Sequence, residues 1–229
     1  DMEDIAAQSY DDDEAYQLAL DLAFDKLHAC GEVLKNAEDT FFKKYNITVN
    51  DTKDKLETKI EQANNAINYY NPLYRIFYKV NKQASYTHIA LDKKDLATLQ
   101  QHTSTLLAFA EEGLEKLKLL KDYNGDRQLL KVVEEILQFY KSEGSVSMPE
   151  NIRFFLVAED FMNARKKLES IKPQARTQKD IDEYNKTVNA YNTSVKKINQ
   201  LNDLNFKKHK NLIEKWKKTV EKFFEAHTS

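Results

Sequence analysis

The chain has 229 residues, of which 41 % are hydrophobic and 31 % charged, with only three Pro and four Gly to build turns. Twelve Tyr, twelve Phe and one Trp carry more aromatic surface than an unstructured chain does, which excludes disorder as the default reading. A formal net charge of −2 lacks the basic excess of a dedicated nucleic-acid binder. No apolar run approaches the ~20 residues needed to span a bilayer.

Charge is unevenly spread. Asp1, Glu3, Asp4, Asp11, Asp12, Asp13 and Glu14 crowd the beginning with no base among them, and residues 1–10 are expected to form a frayed terminus. Towards the other end, Lys207, Lys208, Lys210, Lys215, Lys217, Lys218 and Lys222 face only Glu214 and Glu221. Such runs read first as solvated helix surface, and second as regions that attract one another or an acidic partner. Lys outnumbers Arg thirty to five, a bias typical of an AT-rich bacterial genome. Starting at Asp1 without Met, the sequence reads as a trimmed or processed form.

Periodicity organises the rest. From the acidic run, suited to a helix N-terminus, Tyr16, Leu20, Ala23, Leu27, Cys30, Leu34, Ala37 and Phe41 recur at alternating spacings of four and three. One apolar seam along a helix follows, and Cys30, lying on it, is expected to be a small buried core residue. Asn50 or Asp51 is placed to cap a second helix, with seam Leu56, Ile60, Ala63, Ile67, Tyr70, Tyr74, Phe77, Asn81, Ala84, His88 and Leu91. At Asn71-Pro72 two readings stand: the cap and first position of a new helix, or a kink in one long helix, which the unbroken register favours.

Asp92 and Asp95 open a third helix with seam Leu96, Leu99, Thr103, Leu106, Ala110, Gly113, Leu117 and Leu120. Gly113 on that seam lets a neighbouring helix come close, at a propensity cost of about 1 kcal/mol. Asn124-Gly125-Asp126 is a turn signal, and Leu130, Val133, Leu137 and Tyr140 mark a shorter fourth helix. Residues 142–149, SEGSVSMP, read as the clearest loop. Phe154, Val157, Phe161, Ala164, Leu168 and Ile171 form a fifth seam that Pro173 ends. The last seam runs Ile181, Tyr184, Val188, Tyr191, Val195, Ile198, then Asn202, Phe206, His209, Ile213, Trp216, Val220 and Phe223. Its change to spacings of four and four at Ile198-Asn202-Phe206 reads as a stutter or as a short interruption at Asn202-Asp203. No segment alternates as a strand would. The expectation is all-α: an elongated antiparallel bundle of about six long amphipathic helices forming one domain, 1–229.

Catalytic and metal motifs are wanting. A di-iron bundle needs Glu-x-x-His pairs, and the nearest match, Asp25-x-x-His28, stands alone. One Cys and five His poorly serve zinc. Neither a Gly-x-Ser-x-Gly elbow nor a phosphate-cradling glycine loop occurs. No catalytic, cofactor-binding or metal residue is therefore assigned, and no cofactor is expected. His88 and His209 fall on seams, where a hydrogen-bonded core histidine is the expected role. The densest feature is YYNPLYRIFY, residues 69–78. Tyr70, Tyr74 and Phe77 face its seam as a core face, whereas Tyr69, Arg75 and Tyr78 lie off it as a candidate partner or ligand patch.

Three stretches, DEYNKTVNAYNTSVKKINQLN, LIEKWKKTVEKFFEAH and NAINYYNPLYRIFYKVNKQ, resemble a family of uncharacterised bacterial surface lipoproteins. The Tyr-Asn repeats are shared loosely with the LemA-like group. The resemblance implies a secreted, lipid-anchored helical protein of the cell envelope, periplasmic or on the outer surface. The attachment cysteine of such proteins is missing near the start, so any membrane link is expected through an anchor this sequence lacks. The expected function is that of a non-enzymatic helical spacer or protein-interaction module with a protein or envelope partner and no nucleic acid. The alternative is a bundle that binds a small ligand through residues 69–78.

Overall fold

A computed structural model describes residues 10–48 and 55–228. The expected frayed terminus at 1–10 and the cap at Asn50 or Asp51 fall outside the described residues, apart from Tyr10 itself. Among the described residues the chain forms six α-helices and no β-strand: α1 (Tyr10–Tyr45), α2 (Lys55–Lys93), α3 (Leu96–Leu119), α4 (Gln128–Ser142), α5 (Met148–Ser170) and α6 (Gln178–Thr228). A π-helical turn, Glu143–Ser147, joins α4 to α5, and a 3-10 turn, Pro173–Ala175, precedes α6. The protein is an all-α helical bundle. It divides into two compact units at Asn65 and Ala66, within α2.

The first unit holds α1. The helix stops where Asn46 turns left-handed at φ 50°, and the Ile47 amide donates to the Phe42 carbonyl at 2.9 Å. Asn tolerates that conformation better than most residues, which makes it a natural helix terminator. The seam seen in the sequence exists as a face of this helix, but it is not a core. Leu27 is 68 % exposed, Leu34 61 % and Phe41 52 %. Cys30 is exposed as well, which corrects the expectation that it is buried. Four-three spacing reports that one helical face is apolar, and it does not report what covers that face.

The second unit, Ala66–His227, is an up-down-up-down arrangement of α2, α3, the α4–π–α5 rod and α6. The antiparallel pairing of α2 with α3 follows from Lys79 meeting Glu112 at 2.9 Å while Gln83 meets His102 at 3.1 Å. That of α4–α5 with α6 follows from Glu135 meeting Lys215 at 2.6 Å and Glu150 meeting Lys197 at 2.6 Å. Helix α3 obeys the sequence closely. Leu99, Thr103, Leu106, Ala110, Gly113 and Leu117 are all buried, and Asp95 caps the helix by accepting the Thr98 amide at 3.1 Å. A Cβ on Gly113 would sit 3.1 Å from Ile76 and Leu137 methyls, so the close approach expected there is real.

Elsewhere the registers move. Helix α2 runs through Pro72 without ending, and its buried face is Ala66, Leu73, Phe77, Val80, Ala84 and Thr87. Tyr70 and Tyr74 are half-buried beside that face. SEGSVSMP is no loop: it is the π-turn and the start of α5, with Glu143, Gly144, Ser147 and Met148 buried. Pro149 explains the wider turn. Its ring would clash with the carbonyl of Ser145 in an α-helix, and the Met148 amide instead reaches back to the Glu143 carbonyl. Helix α6 is continuous over 51 residues, so no interruption occurs at Asn202-Asp203. Ile198 and Leu212 are buried, Asn205 and His209 half-buried, and Phe206 is 68 % exposed. Leu201 is half-buried and Asn202 exposed. The inward positions thus run Ile198, Leu201, Asn205, His209 and Leu212, and the spacing of four and four falls at Leu201, Asn205 and His209 in place of Ile198, Asn202 and Phe206.

Fully buried Leu73 and exposed Phe206 differ sharply in expected worth. Leu73→Ala is expected to destabilise by about 2–5 kcal/mol, the range for buried Leu truncations. Phe206→Ala should lie within about 0.5 kcal/mol of the parent. Urea unfolding followed by far-UV circular dichroism measures both, and equal losses would contradict the register given for α6.

Candidate functional site

Polar chemistry concentrates where α2, α4, the π-turn and α6 meet. Helix α4 places Tyr140 fully inside, where its hydroxyl donates to the Asn81 side-chain oxygen at 2.6 Å and lies 3.0 Å from His209 Nε2. A phenol has one proton to give. With that proton on Asn81, the phenol oxygen accepts from His209 Nε2–H, which fixes the imidazole tautomer. One helical turn along, Glu143 is 3 % exposed and its carboxyl meets His88 Nε2 at 3.0 Å. Its other oxygen, Oε2, is buried without a hydrogen-bond partner among the described residues. Further along the rod, Asn151 and Asn202 exchange side-chain hydrogen bonds at 3.2 and 3.3 Å.

Gly144 makes this arrangement possible. A Cβ there would lie 3.3 Å from the Leu107 backbone nitrogen and 3.2 Å from its Cβ, so the π-turn packs directly on the α3 backbone. A π-turn often marks a functional position. Here it turns Glu143 inward between α3 and the half-exposed His88 imidazole.

The ionisable groups respond to this setting in opposite ways. His88 is held above the usual imidazole range, first by its hydrogen bond to Glu143 and then by the charges of Glu143 and Asp92, against burial. His209 is held below that range, chiefly by burial, with Glu143 pulling the other way and His88 adding to the depression. Burial, with Glu143 adding, pushes the Tyr140 phenol far up, so it stays a neutral donor. Both histidines are hydrogen-bonded, as their seam positions suggested, although His88 keeps about half its side chain in solvent. Sequence spacing could not pair His88 with Glu143 or His209 with Tyr140, because the partners lie 55 and 69 residues apart.

The aromatic patch read from the sequence is distributed around α2. Tyr69 and Tyr78, nine positions apart, point half a turn away from each other. The Tyr69 ring lies 5.1 Å from Tyr123 and 5.7 Å from Phe223, and burial raises its phenol to about 12. Tyr78 stacks on Tyr74 at 5.7 Å, and Arg75 is half-buried. Tyr70 and Phe77 lie against Trp216 at 5.9 and 4.8 Å, so much of the segment's aromatic surface packs on α6. Of the Lys-rich face, Lys207 is bridged to Asp203 at 2.7 Å and Lys215 to Glu135 at 2.6 Å.

Among the described residues no group of three His, Cys, Asp or Glu side chains is poised to hold a metal ion. Asp25 and His28 are both exposed on α1. No described helix is long and apolar enough to cross a membrane. Exposed apolar residues include Leu56 and Ile60 at the start of α2, and are most numerous along α1. Leu27, Leu34 and Phe41 stand on the seam, and Phe24 and Val33 flank it at 65 % and 70 % exposed.

Two outcomes are expected at the polar cluster. Tyr140→Phe strands Asn81 and His209 without their shared hydroxyl, and should cost about 1–3 kcal/mol, the penalty of unsatisfied buried polar groups; urea titration reads the loss. The second concerns pH. His88, with a raised folded pKa, contributes stability that is fully present below its unfolded value of about 6.5 and lost as pH rises through the folded value. His209, with a depressed folded pKa, contributes stability present above about 6.5 and lost as pH falls through the folded value. Thermal melts between pH 5 and 8 should therefore peak near the unfolded imidazole value. His88→Gln should flatten the alkaline limb and His209→Gln the acid limb.

Searches of family models, curated proteins and solved structures gave no match to this chain.

Proposed function

We propose that this protein is a non-enzymatic protein-interaction module, with α1 as its docking element and the Ala66–His227 bundle as its folded body. The observation that carries this reading is the apolar face of α1, exposed from Phe24 through Leu27, Val33 and Leu34 to Phe41. Contiguous exposed apolar surface on that scale is uncommon on soluble monomers and marks sites of association. A spacer role would ask for no such face, so the interaction module is the better supported of the two. The resemblance to bacterial surface lipoproteins supports placing the module in a cell envelope, with a protein or envelope component as partner. Binding of a small ligand through residues 69–78 has less support, because the rings of Tyr69, Tyr70 and Phe77 are engaged with α6 or its neighbours.

The test uses a photoreactive amino acid placed at Leu27 or Leu34 on the apolar face, or at Glu32 on the opposite face, in cells producing the chain. Protein adducts are expected from the first two positions and not from the third. Equal labelling from all three, or none from any, would remove the docking surface.

A further inference from the structure

We infer that the partner of the α1 face is the α1 of a second copy, packed antiparallel as a two-stranded coiled coil. This rests on the reading of α1 as a docking surface and names its occupant.

The argument begins with side-chain size. The seam divides into two heptad positions: Leu20, Leu27, Leu34 and Phe41 occupy one, and Tyr16, Ala23, Cys30 and Ala37 the other. After Tyr16, every large residue alternates with a small one. In a parallel pair each position meets its own copy, so layers of two Leu would alternate with layers of two Ala or two Cys, crowded and hollow in turn. Cores tolerate neither. In an antiparallel pair the two heptad positions meet each other, so each large side chain faces a small one.

One register pairs all eight positions. It sets Leu20 against Ala37, Ala23 against Leu34, Leu27 against Cys30 and Tyr16 against Phe41, each once in either direction about a twofold axis. The sole pairing of two large residues, Tyr16 with Phe41, falls at the ends, where helices have room to part. The flanks obey the same rule, because Phe24 comes opposite Gly31. Gly31 lies on open surface where an added Cβ would meet nothing within 4 Å, and Phe24 is exposed. A seam from residue 16 to 41 runs about 38 Å at 1.5 Å per residue. That is between three and four heptads, the length at which such a pattern argues for a coiled coil.

Charge selects the same orientation. By sequence, residues 11–14 of the helix are Asp, Asp, Asp and Glu, and its last turn carries Lys43 and Lys44. The register that pairs all eight seam positions brings residues 13 and 14 of one copy level with 44 and 43 of the other. A parallel pair would set eight acids together. Opposed helix dipoles favour the antiparallel pair further.

The experiment uses the full chain. Sedimentation velocity is expected to show a dimer. Leu27→Glu should weaken it by about 100-fold or more, the scale of a central hot-spot loss, and leave the melting of the bundle unchanged, since Leu27 is exposed in the single chain. Cys30 should react quickly with a maleimide in dilute solution and be protected in the dimer. Orientation is read in a Cys30→Ala background, with Leu20→Cys and Ala37→Cys made as separate proteins. A short bismaleimide should join them when mixed and should not join either to itself. Self-linking of either one would overturn the antiparallel arrangement. A chain that stays monomeric, or a dimer indifferent to Leu27→Glu, would overturn the second copy as occupant. Adducts of a different protein in the photocrosslinking above would then still uphold the docking surface, whereas their absence would end both.

Discussion

Helix α4 is short, yet about half of its circumference is a continuous apolar face that must be kept from water. Leu129, Leu130, Val132, Val133, Ile136, Leu137, Phe139 and Tyr140 are all buried, while Lys131, Glu134, Glu135 and Gln138 line the exposed side. An apolar face that broad needs more than one neighbouring helix to cover it. Everything else in residues 66–227 answers that demand. Helix α3 covers it through the close approach at Gly113, α2 through Leu73, Phe77 and Val80, and α6 through Leu212, Trp216 and Phe223. At about 25 cal/mol per Å² of apolar surface removed from water, this convergence is the main stabilising term.

A centre so apolar makes each polar group inside it consequential. Tyr140, Asn81 and His209 satisfy one another across three elements, and Asn151 with Asn202 does so across two. Hydrophobic seams alone would let α6 slide by a heptad at little cost. Paired polar groups make such a slip leave donors and acceptors unmatched. Their contribution is therefore to one alignment over others, more than to stability as such, in the way that a single Asn sets register in a coiled coil.

How much of this was legible in the sequence differs from element to element. Helix α3 could be read almost residue by residue, because its seam is aliphatic and its cap is a lone Asp before a clean apolar run. In α2 the many Tyr drew the inferred face about one position away from Leu73 and Val80. A Tyr can be half-buried on either side of a core, so it marks the face's edge less sharply than Leu does. Residues 142–149 misled by composition: Ser, Gly and Pro punctuate chains locally, but burial of Glu143, Ser147 and Met148 and packing on Leu107 override that tendency. The polar cluster was the least legible part. Asn81, His88, Tyr140 and His209 sit at ordinary seam positions and Glu143 in the stretch read as a loop, and only the three-dimensional crossing of α2, α4 and α6 brings them together. The α1 seam was legible as a pattern, while its exposure was not, since periodicity is indifferent to what lies opposite.

The π-turn has a bearing on how this chain can change over generations. A wider turn holds one residue more than the α-helix it interrupts, so in effect the rod from Gln128 to Ser170 carries an insertion that was absorbed without a break. Losing that residue would restore an ordinary helix and rotate all that follows by about 100°. Asn151, Phe154 and Phe161 would swing off α6 together, although none of them had been altered. Single-residue length changes between residues 143 and 147 are thus a more drastic kind of variation than most substitutions there. Lineages descended from this sequence should keep the spacing between Tyr140 and Asn151 even where they replace the residues that fill it.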